Sequence, residues 1–179
     1  MATAPTPPPP LVPVAQAKDY LRIAGSEEDA LIAGLLRTAT ELCEAFTRLA
    51  LIERDVEETL PARPAWSRLS LAPVQAITSV ATLAAAGEPI ALPAGDYAID
   101  IDASGDGWLR VPGKPAGSRA LVHYRAGLGQ SWNGVPEPLR HGVVRMAAHL
   151  YAHRDAADAA APPAAVAALW LPYRRLRLG

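Results

Sequence analysis

The residues that come closest to a metal-binding motif lie in the stretch DIDASGDG. Carboxylates at Asp100 and Asp102, followed by Ser104 and Gly105, match the start of a calcium-binding loop, in which alternate positions supply oxygen ligands and the sixth residue is glycine. The acid that should follow at the twelfth position is Val111, and no pair of flanking helices is predicted. We therefore interpret the stretch as a hairpin turn between two strands and not as a calcium site.

A second candidate is a pair of histidines near the end of a predicted helix. His149 and His153 are four residues apart, a spacing that can present two imidazoles to one metal ion, and Asp155 follows closely. The glutamate and the third ligand of a metalloprotease helix are missing. A solvated basic face is the better interpretation, and His123, in a predicted strand, is more typical of a structural residue than of a ligand.

Motifs for catalysis are equally incomplete. Gly127, Gly129 and Gly134 resemble a phosphate-binding loop, but no Gly-Lys-Ser/Thr sequence follows them, and they indicate a flexible loop before a helix. The sequence has no G-x-S-x-G motif, and its single cysteine, Cys43, has no plausible base to activate it. We therefore predict a protein that is not an enzyme and that holds no cofactor and no metal.

The composition favours a single globular domain with extended ends. The chain has 179 residues, half of them hydrophobic, and a net charge of -1, which argues against the basic field of most nucleic-acid-binding proteins. No apolar run approaches the roughly 20 residues of a membrane span, and the first residues lack the features of a signal peptide. The lone Cys43, on the apolar side of a predicted helix, suits a reducing cytoplasm.

The N-terminal part predicts a proline-rich arm and two helices. Residues 1–13 form the arm, which we expect to be disordered or polyproline-like. A short helix covers residues 14–23, and a long helix follows with Ser26 as its N-cap. The long helix has the strongest periodic apolar stripe in the chain. Its members are Leu31, Ile32, Leu35, Leu36, Ala39, Leu42, Cys43, Phe46 and Leu49.

From residue 51 the pattern changes to short runs bounded by Gly, Pro or Asp, which predict an antiparallel, meander-like sheet. The predicted strands are 54–60, 68–71, 77–83, 89–92, 97–101, 107–111 and 119–125. A third, amphipathic helix follows over residues 139–153, with Pro136 and Pro138 at its entry and first turn. The order predicts an α+β domain over residues 14–155, a small helical bundle with the sheet inserted between its helices.

The C-terminal residues 156–179 predict a hinge followed by a docking tail. The hinge is rich in alanine, and Trp170 closes a short helix that Pro172 stops. The last residues, RLRL, alternate like an extended strand. Trp, Tyr, Arg and Leu are residues that anchor interfaces, so we favour docking of this tail onto another chain or a neighbouring subunit. The alternative is that the tail folds back onto its own core.

Two segments resemble the phage head–tail connector adaptor family. The first reads VAQAKDYLRIAGSEEDALIAGLLRTATELCEAFTRLAL, and the second reads ALVHYRAGLGQSWNGVPEPLRHGVVRMAAHLYAHRD, with the pattern of His149, Tyr151 and Arg154. The final LPYRRLRL is also similar to the end of the family. Adaptors of this kind occur in gene transfer agents, which are phage-like particles. The chain departs from the family at Arg48, where glycine is common, and in its proline-rich arm.

The resemblance implies a structural role. Such adaptors assemble in the bacterial cytoplasm as a ring, usually twelvefold, beneath the portal protein ring of the head. The ring extends the DNA channel, through which DNA passes without specific binding, and is the attachment platform for the stopper or tail-completion protein. The sequence agrees with association rather than chemistry, and no membrane is involved.

We place the contacts of this adaptor at two sets of residues. The portal-docking tail comprises Trp170, Leu171, Pro172, Tyr173, Arg174, Arg175, Leu176, Arg177 and Leu178. A possible subunit contact or channel wall comprises Gln130, Asn133, His141, Arg145 and His149. The alternative function is that of a small DNA-binding or regulatory protein that reads its site through the helix over residues 139–153, and an enzyme ranks third.

Overall fold

The computed structural model describes residues 11–84, 87–113, 117–153 and 161–175. The chain divides into two compact units, a helical unit formed by residues 1–48 and 131–179 and a strand unit formed by residues 49–130. The predicted α+β class is confirmed. Among the described residues, no helix is both long enough and apolar enough to cross a membrane.

The helical unit contains four α-helices. They are α1 (Val14–Leu21), α2 (Asp29–Thr47), α3 (Glu137–Ala152) and α4 (Ala164–Trp170). Helix α2 packs against α3 through the predicted apolar stripes. The buried members of these stripes are Ile32, Leu36, Ala39 and Cys43 on α2 and Leu139, Val143, Met146 and Leu150 on α3. Burial raises the pKa of the Cys43 thiol, which keeps it protonated and unreactive.

Both ends of the chain differ from the sequence prediction. Val12, which we assigned to a disordered arm, is fully buried in the helical unit, while residues 1–10 lie outside the described part. The predicted hinge falls partly on residues 154–160, which also lie outside it, and its later part is the helix α4. A short apolar segment that begins with Pro163 as N-cap forms a helix because Val166 and Trp170 find a core to pack into.

The start of α2 corrects two further details. Ser26 is not its N-cap, because the helix begins at Asp29 and Ser26 only accepts a backbone hydrogen bond from the Asp29 N–H at 3.2 Å. The Lys18 ammonium lies 2.7 Å from the Asp29 carboxylate and links α1 to this first turn. Leu31, predicted in the apolar stripe, is 41% exposed, whereas its neighbour Ile32 is 1% exposed.

Helices α1 and α2 end in the same way, with an arginine in the left-handed conformation. Arg22 has φ 59° and ψ 40°, and Arg48 has φ 59° and ψ 35°. The Arg48 N–H donates to the Glu44 carbonyl at 2.7 Å, which closes the last turn of α2. This is the conformation that glycine adopts most easily at a helix end. The departure at Arg48 therefore preserves the turn that the family's usual glycine would make.

The strand unit contains seven described strands. They are β1 (Arg54–Pro61), β2 (Ser67–Arg68), β3 (Val74–Leu83), β4 (Pro89–Ala91), β5 (Ala98–Ile101), β6 (Gly107–Arg110) and β7 (Arg119–Ala126). Six agree with the predicted strands to within three residues at either end, whereas β2 overlaps the predicted strand 68–71 only at Arg68. The predicted single meander is wrong. The strands form two sheets, of order β1-β7-β3-β4 and β2-β6-β5, and all their pairings are antiparallel.

Strand β7 is the centre of the four-stranded sheet, and its inward residues alternate with period two. Ala120, Val122, Tyr124 and Ala126 are all buried, as the ALVHY alternation predicted. The Tyr124 hydroxyl donates to the Glu58 carboxylate at 2.7 Å. Burial, together with the hydrogen bond and charge of Glu58, raises the pKa of Tyr124 to about 12. The core of this unit is therefore anchored by an aromatic ring with a satisfied polar end.

The two ends of the strand unit are hydrogen-bonded to each other. The Leu128 N–H donates to the Ala50 carbonyl at 3.0 Å, and the Glu53 N–H donates to the Gly129 carbonyl at 2.9 Å. Gly127 is buried with φ 153°, and a Cβ at this position would overlap the backbone of Glu53. The first part of the predicted flexible glycine loop is therefore packed, and glycine is required there by the close approach of two chain segments.

Candidate assembly surfaces

The predicted docking tail begins inside the core of the helical unit. Trp170 is fully buried, and its ring lies 5.7 Å from the ring of Phe46, centroid to centroid. It also packs onto Gly142 of α3, where a Cβ would overlap the indole nitrogen. Trp170 is therefore an internal anchor, and its side chain is not free to enter a pocket on another protein. Trp170 therefore follows the alternative prediction, in which the tail folds back onto the chain's own core.

The residues after Trp170 turn outward. Leu171–Tyr173 form a 3₁₀ turn, and Leu171 is 59% exposed. The Arg174 guanidinium lies 5.3 Å from the centroid of the Phe46 ring. The Arg175 N–H donates to the carbonyl of Thr47 at 3.0 Å, which ties the segment to the end of α2. Leu176, Arg177 and Leu178 lie outside the described residues.

The second predicted set is divided between the two units. Asn133, His141, Arg145 and His149 belong to the helical unit, whereas Gln130 is the last residue of the strand unit. Gln130 and Asn133 are both exposed. Asn133 lies in a 3₁₀ turn (Trp132–Gly134), where its side-chain oxygen accepts a hydrogen bond from Arg140 at 3.3 Å.

The basic ridge of α3 is formed by His141, Arg145 and His149, on the side away from the buried stripe. The His141 ring meets the ring of Tyr20 edge-on at 6.3 Å, and Tyr20 is itself 48% exposed. Arg145 and His149 are half-buried, and the His149 ring lies 4.4 Å from that of His153. The ridge thus combines polar and aromatic groups on one helical face.

The acidic stretch of the strand unit is a turn, as interpreted from the sequence. The Asp102 carboxylate accepts hydrogen bonds from the N–H groups of Ser104 and Asp106, at 2.8 and 3.0 Å, and from the indole N–H of Trp108, at 3.0 Å. These bonds stabilise the connection between β5 and β6. In the described part of the chain, no cluster of three or more His, Cys, Asp or Glu residues could hold a metal ion.

The sequence analysis missed one surface, which lies on the three-stranded sheet. We call it the tryptophan face and define it by Trp66, Arg68, Asp100, Trp108 and Arg110. The register places Arg68 and Asp100 on either side of Trp108. The side chains of directly opposed residues point to the same side of a sheet. The sequence contains one indication of this face, since Trp108 and Arg110 alternate with the apolar Leu109. Only the pairing of the strands brings the five residues together.

Solved structures that are similar to this chain are components of a particle neck or virion. No protein family model and no curated protein matches the sequence. Two solved structures illustrate the match. A chain of the neck of the empty gene transfer agent (GTA) particle, computed with C6 symmetry, has a TM-score of 0.79 and 30% identity, over 94% of this chain and 91% of that one. A chain of the neck of the native particle, computed with C12 symmetry, has a TM-score of 0.74 and 31% identity, over 99% and 97%.

A chain of the virion of the native particle gives the same result, with a TM-score of 0.75 and 31% identity over 94% of this chain and 91% of that one. Identity at this level over nearly the whole of both chains goes beyond a shared fold. The resemblance seen in the N-terminal helices and in the strand, loop and helix around α3 is thereby confirmed. The chain belongs to the phage head–tail connector family, in the group that is found in the neck of the gene transfer agent particle.

Proposed function

We propose that the chain is the head–tail adaptor of a phage-like particle. It forms a twelvefold ring beneath the portal, extends the DNA channel, and is the platform for the stopper or tail-completion protein. The observation that carries the proposal is the likeness, over 99% of this chain and 97% of that one, to a chain of a GTA neck computed with C12 symmetry. The ring assembles in the bacterial cytoplasm and stays in the particle at the head–tail junction.

Such an adaptor acts by binding to other proteins, and the C-terminal segment is suited to that binding. Trp170 is buried and the Arg175 N–H is bonded to Thr47, so the chain emerges from α4 at a fixed point. The exposed Leu171 and Arg174 lie at that point. Fixing the base of a docking segment lowers the conformational entropy that is lost on binding.

We propose that the portal contact begins at Leu171 and continues through Pro172, Tyr173, Arg174, Arg175, Leu176, Arg177 and Leu178. Leu176 and Leu178 fill pockets, the arginines meet acidic groups, and the extended backbone adds to a sheet edge of the portal. Trp170 contributes only indirectly, as the anchor of α4. A truncation that removes it would unfold part of the helical unit, so a test of docking must spare residues 165–175.

The experiment is light scattering of the purified chain, alone and mixed with purified portal rings. Deletion of residues 176–179 is expected to leave a folded chain that no longer increases the mass of the portal ring. The matched control is Arg125→Ala, which removes an arginine from an exposed ion pair with Asp55 in the strand unit and should bind normally. Normal portal binding by the truncated chain would refute the docking tail.

A second, separate proposal concerns the basic ridge of α3. We propose that His141, Arg145 and His149, with Asn133 and Gln130, lie at the subunit contact or at the channel wall. Arg145→Glu reverses a charge in the middle of the ridge and should impair ring formation or DNA delivery, whereas Arg125→Glu in the strand unit should not. Unchanged rings and unchanged delivery in the Arg145 variant would remove this assignment.

The competing DNA-binding function predicts different results in the same experiment. Helix α3 uses its apolar side for packing, with Leu139, Val143 and Met146 fully buried, which leaves the ridge for any other contact. A channel wall should hold DNA weakly, because many phosphate contacts would bind it tightly and in a salt-dependent way. A chain that ignores portal rings but retards a DNA fragment would favour the alternative.

A further inference from the structure

The tryptophan face contains a shallow depression of about 240 Å³, lined by Trp66, Asp100 and Trp108. Trp66 is 41% exposed, although it belongs to a residue type that usually hides most of its surface. On the opposite side of the same sheet Leu109 is buried at 1% exposure, whereas Ile99, its partner on β5, is 43% exposed. The depression therefore lies on the side of the sheet that faces away from the buried Leu109.

The two indole rings are held in place by polar neighbours. The Arg110 guanidinium lies 4.8 Å from the centroid of the Trp66 ring. The Trp108 indole N–H donates to the Asp102 carboxylate at 3.0 Å. Arg68, the partner of Trp108 on β2, has its guanidinium paired with the Asp106 carboxylate at 2.6 Å. Rings fixed in this way lose little conformational entropy when a ligand binds, so even a shallow site can bind usefully.

The charges on this face do not favour an anionic ligand. Arg68 and Arg110 are accompanied by Asp100, Asp102 and Asp106 in the same hairpin region. A phosphate or an acidic peptide would therefore meet carboxylates as well as guanidinium groups. The chemistry that remains is packing of an uncharged, rigid group against the exposed ring of Trp66 and the half-buried ring of Trp108.

Proline has that chemistry, and the chain carries a proline-rich segment that the adaptor role leaves unused. Aromatic-lined grooves bind polyproline II segments, because such segments are pre-ordered and repeat every three residues. Residues 5–10 read PTPPPP, which places Pro5 three residues before Pro8 and Pro7 three residues before Pro10. Residues 1–10 carry no charged side chain, which fits an opening with balanced charge.

We propose that the tryptophan face binds the proline-rich segment, residues 5–10, of a second copy of this chain. Val12 is fully buried and Leu11 is 37% exposed, so the segment is attached where the chain reaches the surface of the helical unit. The six residues 5–10 would span about 19 Å in polyproline II conformation and continue directly into Leu11. The choice of a second copy rests on the proposed ring, in which the copies lie side by side.

The test uses the full chain labelled with 5-fluorotryptophan and observed by ¹⁹F NMR. Its four tryptophans give four signals, which Trp66→Phe and Trp108→Phe assign. Replacement of the five prolines of residues 5–10 by alanine should shift the signals of Trp66 and Trp108. The signals of Trp132 and Trp170, both buried in the helical unit, should stay and serve as an internal control. Four unchanged signals would overturn the proposal.

A mixing experiment identifies the copy that supplies the segment. Unlabelled Trp66→Ala chain, which keeps its prolines, is added to the labelled chain that lacks them. The original positions of the Trp66 and Trp108 signals should return as the unlabelled chain is added. A shift that is present in the intact chain but cannot be restored by mixing would mean that each chain binds its own segment, which overturns the second-copy proposal.

Affinity gives a further check. Synthetic peptide of residues 2–12, titrated into the labelled proline-free chain, should bind at least about tenfold more weakly when Trp66 is replaced by alanine, since loss of a central aromatic anchor commonly costs that factor. Equal affinity would contradict the proposal. Because the shifts are measured without portal rings, a negative result here leaves the adaptor role standing, and failure to bind the portal leaves this result standing.

Discussion

Two short stretches of this chain place tryptophan beside leucine in opposite ways. In the strand unit, Leu109 is buried at 1% exposure and Trp108 lies half open on the outer side of the sheet. In the helical unit, Trp170 is fully buried and Leu171 is 59% exposed. Both stretches are followed by arginine, and both have the composition of a binding surface.

Composition alone therefore does not show whether a tryptophan packs inside its own fold or is available to bind a partner. In a strand, neighbouring residues point to opposite sides, so Leu109 and Trp108 divide between core and solvent. At the end of α4 the side that faces the core is set by the helical period, and Gly142 provides the space for a large ring. Which residue is available for binding is therefore decided by the backbone and the facing residues.

The largest effect should come from truncating the buried tryptophan. Trp170→Ala removes the anchor of α4 and leaves a cavity, so we expect the free energy of unfolding to fall by about 4 kcal/mol. Trp66→Ala removes a half-exposed ring and should cost about 1 kcal/mol or less, mainly from the contact with Arg110. Urea denaturation of both variants measures the difference. Equal losses in the free energy of unfolding would contradict the difference in burial between Trp170 and Trp66.

The two leucines should show the reverse order. Leu109→Ala empties a fully buried position and should lower the free energy of unfolding by about 3 kcal/mol. Leu171→Ala is its matched control and should change stability by no more than about 0.5 kcal/mol, because the residue lies on the surface. Leu171→Ala should instead weaken portal binding. A large loss of stability at Leu171 would show that it is packed in solution.

Gly142→Ala tests the space under the indole. Alanine normally stabilises a helix by about 1 kcal/mol relative to glycine, but here its Cβ would overlap Trp170, and we expect a net loss of about 2 kcal/mol. The same substitution in a Trp170→Ala background should be neutral or stabilising. Denaturation of the four chains gives a double-mutant cycle, and additive effects would contradict direct packing.

The smallest effect concerns the buried aromatic residue of the strand unit. Tyr124→Phe removes the bond to Glu58 and leaves the Leu71 N–H without its acceptor at 3.3 Å, which should cost about 1 to 2 kcal/mol. Since the pKa of Tyr124 is raised from 10.0 to about 12 in the folded chain, its contribution is complete below pH 10 and decreases as the pH rises through 12.

The measurement is the free energy of unfolding from pH 9 upward for both chains. The wild-type chain should lose stability over that window relative to Tyr124→Phe, because the unfolded chain releases the phenol proton first. A parallel pH dependence in both chains would show that another group titrates. Trp170, whose indole nitrogen has no hydrogen-bond partner among the described residues, offers no such pH-dependent contribution.

Much of the fold could be predicted because its signals are local. The stripe of α2, the proline entry of α3 and the positions of six of the seven described strands follow from periods and breakers within a few residues. The division into two sheets could not be predicted in this way, because β1 pairs with β7, more than fifty residues later. Such pairings depend on which apolar faces meet, and one sequence does not contain that information.

The candidate site could also be predicted only in part. The sequence identified a C-terminal segment rich in interface residues, but it could not show that Trp170 would find a glycine on α3 and become part of the core. The turn at DIDASGDG was predicted correctly, because its glycines and aspartates are local breakers between β5 and β6. The tryptophan face was missed because its five residues come from three separate stretches of the chain.

The hydrogen bonds that join Ala50 to Leu128 and Glu53 to Gly129 have a consequence for engineering. They bring the first and the last residues of the strand unit together. Residues 49–130 therefore form a cassette whose two ends lie side by side. Such a cassette can be excised, exchanged between related chains or replaced by a short linker without rerouting the polypeptide. We expect residues 49–130 to fold when expressed alone.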